Sequence, residues 1–290
     1  MPGIRLLFDL WTHPANNTHR LRSIFRAIAW QIRKRFSKQP KLIPYHGMQL
    51  HCPVDNHSAS RAIYFSNLPD YWEMLFMQDY LRAGDCFVDA GANIGLYTLL
   101  ARSQLGESGQ VHCFEPNPVT AEQLQKTITH NELRNVKIHL CGLSDQSGSL
   151  EFELGDDTCT SHIQPKDSSH KSIWIDVVRL DEILQDTPVT MAKFDIEGFE
   201  PFAVRGASAM LHQSNPPVLL IEVGGLANNY GVSTDKFIAE LASMGYTTAI
   251  YDCEQRKLVN VDQPWRVPTE NVLAIADSKR LMVEQRLARS

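Results

Sequence analysis

Residues Val88-Asp89-Ala90-Gly91-Ala92-Asn93-Ile94-Gly95 decide the reading of this chain. The apolar run Cys86-Phe87-Val88 leads straight into two glycines that permit a tight turn and close backbone approach. Leu96, Leu99 and Leu100 then carry a helix that ends near Gly106. Strand, glycine turn and helix open a parallel α/β sheet, in which ligands sit beyond the carboxyl ends of the strands. A dinucleotide site calls for Gly-x-Gly-x-x-Gly to cradle pyrophosphate. Here Asn93 stands where the second glycine belongs, and Gly95 comes one residue early. Asp89 repels phosphate and suits a cationic amine or sulfonium. The expected ligand is nucleotide-like without pyrophosphate, faced by amides at the helix start.

The regular pattern continues downstream. Val111 to Glu115 reads as a second strand, Asn117 caps the next helix with Pro118 in its first turn, and Val136 to Leu140 is a third strand. Ser149 to Leu154 and Ile173 to Val178 alternate like strands on either side of a polar loop, Gly155 to Lys171. Met191 to Phe194 is a further parallel strand, and the unbroken apolar run Val218 to Val223 suits a central one. Ser233 opens a helix that Gly245 closes. Tyr246 to Tyr251 and Asn271 to Ile275 are joined without a helical pattern, so an antiparallel pair is expected at the sheet's edge. The fold class is α/β: a doubly wound, seven-stranded, mostly parallel Rossmann-like sheet with an N-terminal helical extension. The expected boundaries are 1–80 for the extension, 81–280 for the main domain and 281–290 for a tail.

Glu115 ends the second strand, 24 residues after Gly91. A carboxylate there can accept both hydroxyls of a ribose, in NAD or in S-adenosylmethionine alike. The alternative is a solvated strand-end residue.

Taken together, Val88 to Gly95, Phe114-Glu115-Pro116, Leu143-Ser144-Asp145 with Gly148, and Lys193-Phe194-Asp195-Ile196-Glu197-Gly198-Phe199-Glu200 stand in an order that resembles the FkbM family of methyltransferases. Ile221-Glu222 and Asn271 to Ile275 look like that family's later strands. The resemblance covers about residues 80 to 276 and implies a class I methyltransferase fold that uses S-adenosylmethionine. By the same resemblance Asp89, Gly91 and Asn93 hold the methionine end in the loop closed by Gly95, and Glu115 binds the ribose. Asn117, Ser144 and Asp145 lie near the adenosine. Ser144 and Asp145 also fit plain turn chemistry with Gly148 in a hairpin connection.

Methyl transfer from a sulfonium requires an aligned acceptor and, for a hydroxyl, a proton acceptor. Asp195 closes its strand on the rim where acceptor and cofactor would meet, and Glu222 is a second candidate for the same wall. Glu197 and Glu200 belong either to this cluster or to the cap of the following helix, the second reading being favoured for Glu200. No His-x-Asp or His-x-x-x-His arrangement supports a metal. His112 and His139 read as packed residues. His162 and His170 lie in a loop that is either a substrate lid or a variable insertion.

The net charge of −5 hides an asymmetry: residues up to Lys41 carry +8, with Asp9 their single acid, and the remainder carries −13. The acidic body gives no reason to expect nucleic acid. Six scattered cysteines without a Cys-x-x-Cys pair fit a reducing, cytoplasmic compartment, and no apolar run reaches the length of a membrane span. Leu21, Phe25, Ile28, Ile32 and Phe36 recur at helical spacing, with Arg22, Arg26 and Arg33 on another face. For residues 20–41 three readings stand: packing of the apolar stripe on the domain as the default, a partner contact, or peripheral contact with an anionic membrane. The function expected is O-methylation of a hydroxyl on a small-molecule, glycan or glycolipid-like acceptor, the oxygen resting on the family resemblance. The alternatives are an NAD-dependent oxidoreductase or epimerase, and a catalytically silent S-adenosylmethionine-binding protein.

Overall fold

The computed structural model describes residues 2–155, 161–163, 172–267 and 269–289. His170 and most of the loop around it lie outside the described residues. Two helices, α1 (Pro2–Thr12) and α2 (Arg20–Phe36), precede a hairpin of β1 (Lys41–Tyr45) and β2 (Met48–Cys52), then α3 (His57–Tyr64) and α4 (Tyr71–Tyr80). Next come β3 (Cys86–Ala90), α5 (Leu96–Leu105), β4 (Gln110–Phe114), α6 (Pro118–His130) and β5 (Val136–His139). The middle of the chain forms β6 (Gly142–Leu143), β7 (Gly148–Glu153), β8 (His162–Ile163), β9 (Ser172–Val178) and α7 (Leu180–Leu184). The last third comprises β10 (Met191–Phe194), α8 (Glu200–Gly206), α9 (Ser208–Leu211), β11 (Val218–Glu222), α10 (Thr234–Ser243), β12 (Tyr246–Asp252), β13 (Lys257–Asn260), β14 (Asn271–Ala276) and α11 (Arg280–Leu287).

The main sheet runs β13-β12-β14-β11-β10-β3-β4-β5. Strands β11, β10, β3, β4 and β5 pair in parallel, and β14 is antiparallel to both β11 and β12. This is the expected doubly wound, mostly parallel sheet, with β13 as an eighth strand. The antiparallel relation of β12 and β14 was expected, but their place was not. Val272 to Ala276 are all buried, as an interior strand requires, so β14 inserts beside β11. The mostly exposed β13 takes the edge instead. Strand order reverses between β3 and β10, which opens a crevice beyond their carboxyl ends.

Strands β7 and β9 join a separate four-stranded sheet, β6-β9-β7-β8. Strands β6 and β7 both pair with β9, so Ser144 and Asp145 link two strands across a third and form no hairpin.

Each face of the main sheet is covered. Val88, Ala90, Phe194, Leu219 and Ile221 pack under the helices from α7 to α10. Phe87, Leu99, Val111 and Met191 join Leu10, Trp30, Met74 and Val283 on the other face. Each large side chain fully buried here contributes about 2 kcal/mol. Residues before 80 therefore share the main core. Asn131 ties β2 to α6, accepting from Gln49 N at 2.8 Å and donating to Gln49 O at 2.7 Å. The 281–290 stretch, expected as a tail, is mostly helix α11, with Val283 and Leu287 fully buried.

Helix α2 forms as expected, yet its apolar stripe does not pack on the domain. The buried positions are Ser23, Ala27 and Trp30, small residues and one aromatic that let α2 approach α3 closely. Leu21, Phe25, Ile28, Ile32 and Phe36 face solvent instead.

Candidate active site

A cleft of about 320 Å³ opens at the reversal point of the sheet. Its floor is the loop after β3, one wall is Phe114 to Pro116 after β4, and the other is formed by the ends of β10 and β11. Phe152 and Ile163 of the small sheet close over it, and Arg61 and Asp70 reach it from the N-terminal segment.

The glycine loop is built for close packing. Gly91 has φ +78°, and a Cβ there would stand 1.9 Å from the Asp195 carbonyl oxygen, so only glycine lets the β3 and β10 loops touch. Asn93 also takes a left-handed φ of 49°, which asparagine tolerates, and its Oδ1 accepts from Ile94 N at 2.8 Å. The amides of the loop itself turn inward. Gly91 N and Ala92 N donate to Phe114 O, Asn93 N to Glu115 Oε2, and Gly95 N to Ala92 O. With these donors consumed inside the protein, the loop makes a poor pyrophosphate cradle.

Glu115 is 6% exposed and lies at the centre of this network. Oε2 accepts from Asn93 N and Oε1 from Asn117 N, both at 2.9 Å. Burial raises its pKa to about 7 against the pull of those two amides. Each oxygen retains a lone pair for a ligand hydroxyl.

Asp195 directly follows β10, and Lys193 Nζ donates to its Oδ2 at 2.7 Å. Lys193 sits inside the sheet, opposite Asp89 in the β3–β10 register, with its ammonium 4.6 Å from the centre of the Tyr97 ring. Burial alone would lower the Lys193 pKa, but Asp195 and Asp89 together hold it above its usual value. On the far wall, burial and then the nearby Asp195 push Glu222 up to about 9, and its Oε2 has no hydrogen-bond partner among the described residues. Glu197 has a left-handed φ of 58° and is raised to about 7 by burial and then Asp195. Glu200 instead turns back on its own loop, where Oε1 accepts from Ile196 N at 2.8 Å and Gly198 N at 3.2 Å. Glu200 thus braces the loop that leads into α8, in whose first turn it stands.

Of the residues singled out, the cleft gathers Gly91, Asn93, Glu115, Asp195, Glu197 and Glu222. Asp89, Gly95, Asn117, Ser144 and Asp145 stand behind its lining. Asp89 is buried beneath α5, its Oδ2 accepting from Thr98 Oγ1 at 2.6 Å, so it does not face the cleft directly. Gly95 packs against Leu124. Asn117 Oδ1 accepts from Val119 N at 3.0 Å as the cap of α6. Ser144 donates to Asp145 within the turn after β6, while their neighbours Gly142 and Leu143 line the cleft. His112 and His139 stack on each other at 5.5 Å, within the sheet as expected.

Sequence reasoning passed over several lining residues. Lys193 carried a signal, a lysine within the apolar run Met191-Ala192-Lys193-Phe194. Arg61, Asp70, Tyr97 and Glu270 carried none, since they come from four separate segments. Arg61 Nη2 pairs with Asp70 Oδ1 at 2.5 Å, and Tyr97 donates from its hydroxyl to Asp70 Oδ2 at 3.0 Å.

Residues 89–248, which hold the glycine loop, Glu115, Asp195 and Glu222, match the family described as the Methyltransferase FkbM domain. The chain belongs to the FkbM methyltransferase family. This FkbM chain is 30% identical over 142 residues to Methyltransferase 1 of Beauveria bassiana, covering 41% of the chain and 57% of the relative. It is 33% identical over 95 residues to the 31-O-demethyl-FK506 methyltransferase FkbM of Streptomyces tacrolimicus, covering 32% and 35%. The match spans just over half of the first relative's length and about a third of the second's. Among solved structures it is similar to the FkbM methyltransferase from Methylobacillus flagellatus, with 18% identity, 87% of this chain and 59% of that chain covered, and a TM-score of 0.42. It is also similar to Aeropyrum pernix fibrillarin, solved with natively bound S-adenosyl-L-methionine, with 12% identity, 81% and 82% coverage and a TM-score of 0.40.

Proposed function

We propose that this FkbM-family protein methylates a hydroxyl of a small-molecule, glycan or glycolipid-like acceptor, using S-adenosylmethionine. The charge pairing in the cleft carries this reading. Its lining cations, Lys193 and Arg61, are each bound to a carboxylate, and among the described residues six carboxyl groups line the cleft against these two cations. Such a site attracts a cationic donor and offers nothing to a pyrophosphate, which disfavours the NAD reading. Bound there, S-adenosylmethionine supplies an electrophilic methyl carbon on a sulfonium. Glu115 suits its ribose, Gly91 and Asn93 allow close approach of its methionine end, and Asp89 acts from behind the loop through Lys193.

Asp195 is the proton acceptor we favour. Lys193 occupies its Oδ2 and leaves Oδ1 free to take the proton of an acceptor hydroxyl as the oxygen bonds to the methyl carbon. The carbon–sulfur electron pair returns to sulfur. Glu222, neutral near pH 7, can donate a hydrogen bond that orients the acceptor. The oxygen acceptor rests on the relative whose name specifies an O-demethyl substrate. Labelled-methyl transfer from S-adenosylmethionine to a host extract, with identification of the labelled product, tests the assignment. A labelled ether that disappears with Asp195→Asn supports it; label on nitrogen or carbon contradicts the hydroxyl acceptor, and absence of any transfer contradicts the activity.

A further inference from the structure

Helix α2 presents two opposed faces. Ser23, Ala27 and Trp30 are buried toward α3, where Trp30 Nε1 donates to Ser60 Oγ at 3.0 Å. At about 100° per residue, Leu21, Phe25, Ile28, Ile32 and Phe36 fall on the far side. They are 48–81% exposed. Leu7, Phe8 and Trp11 of α1 are likewise 46–66% exposed. A groove between the helices, lined by Leu6, Leu7, Ile24, Ile28 and Ile32, joins the two rows into one apolar surface. Eight large apolar side chains together exceed the scattered exposure normal for a soluble surface.

The border of this surface is cationic. Exposed Arg22 and Arg35 flank the α2 stripe on either side, and exposed Lys38 and Lys41 follow its end. Arg20 lies 5.2 Å from the centre of the Trp11 ring, at the end of the patch near α1. The segment through Lys41 carries +8 and the rest of the chain −13. Whatever covers this face must therefore be apolar at its centre and anionic at its rim. A second copy would set +8 against +8, which disfavours a symmetric pairing. An anionic lipid surface meets both needs, since acyl chains receive the apolar row while headgroups meet the arginines and lysines. No helix among the described residues is long and apolar enough to cross a membrane, so the contact is interfacial.

We propose that the outer face of α1 and α2 docks the protein on an anionic phospholipid bilayer, with both helices lying in the plane of the interface. The docked face is linked to the cleft through α3, which holds Trp30 on one side and supplies His57, Ser58 and Arg61 to the cleft on the other.

The test is flotation of the full chain with vesicles of phosphatidylcholine alone, and of phosphatidylcholine with about one third phosphatidylglycerol. The protein should float with the anionic vesicles, remain behind with the neutral ones, and release at high salt. The double variants Phe25→Ser/Ile32→Ser and Arg22→Gln/Arg35→Gln should each weaken partition about tenfold or more. All four residues are partly or wholly exposed, so an unchanged melting temperature certifies the fold of each variant. Failure of the unaltered chain to float with anionic vesicles would overturn the proposal, as would flotation indifferent to Phe25→Ser/Ile32→Ser. So would a concentration-dependent dimer in solution that the same variant disperses, which would assign the face to a second copy.

Discussion

Lys193 Nζ donates to Asp195 Oδ2 at 2.7 Å while its own side chain is only 4% exposed, directly across the β3–β10 pair from Asp89. One buried ammonium thus faces two carboxylates. Asp89 depends on it most, because its Oδ1 has no hydrogen-bond partner among the described residues and burial raises its pKa. Lys193→Met should lower stability by about 3–5 kcal/mol in urea unfolding, the usual cost of stranding a buried charge. Adding Asp89→Asn should recover part of that loss. A single variant as stable as the parent would remove the ion pair from the account.

Two glycines with almost the same φ separate conformational strain from steric contact. Gly47, at φ +79°, has nothing within 4 Å of an added Cβ, whereas at Gly91 that Cβ would meet the Asp195 carbonyl at 1.9 Å. Gly47→Ala should cost about 1 kcal/mol, the penalty of a left-handed residue. Gly91→Ala should cost several times more, because two backbone loops must part. Equal costs in parallel denaturation curves would show that the β3 and β10 loops do not need their close contact.

The buried carboxyl groups in and beside the cleft set a pH dependence. Glu115, Glu197 and Glu200 are raised to about 7 and Glu222 to about 9, so the folded protein retains protons that the unfolded chain releases near its ordinary carboxylate range. Wherever the native state binds more protons, stability falls as pH rises. Above the ordinary imidazole range, unliganded protein should therefore lose stability as the pH rises to about 9. His139, lowered to about 4, acts in the opposite sense at the acid end, up to the ordinary imidazole range. The window above pH 7 reports mainly on Glu222, and Glu222→Gln should flatten it. An unchanged slope there would show that Glu222 ionises normally.

Glu115 has both a structural and a ligand-facing part. Its oxygens anchor Asn93 N and Asn117 N, and the same carboxylate lines the cleft. Glu115→Ala should weaken S-adenosylhomocysteine binding about tenfold to a hundredfold, as loss of charged hydrogen bonds to ligand hydroxyls would. Unaltered affinity in a folded variant would rule out the ribose role.

The sheet was legible because its strands are short apolar runs bounded by glycines and caps, a pattern that local chemistry writes directly. Asn117-Pro118 marked the start of α6 for the same reason. Position within the sheet was less legible: β14 and β12 look alike in sequence, and only the complete burial of Val272 to Ala276 marks β14 as the strand beside β11. Helix α2 inverted the usual rule, since small Ser23 and Ala27 with Trp30 make its packed face and the apolar stripe stays outside. Glu115 and Asp195 were visible because strand-end acids in this architecture border the crevice. Arg61 and Tyr97 were not, because only tertiary folding brings α3 and α5 to one side of Asp70. The direction of the loop amides was equally hidden, depending on where the Phe114 carbonyl and the Glu115 carboxylate fall.

The cleft beyond β3 and β10 is expected to hold a methyl donor and not a dinucleotide. Calorimetric titration of the unaltered chain with S-adenosylhomocysteine and, separately, with NAD measures this most directly. S-adenosylhomocysteine should bind saturably at one site, and NAD should give little or no heat. Tight binding of NAD with no response to S-adenosylhomocysteine would contradict it.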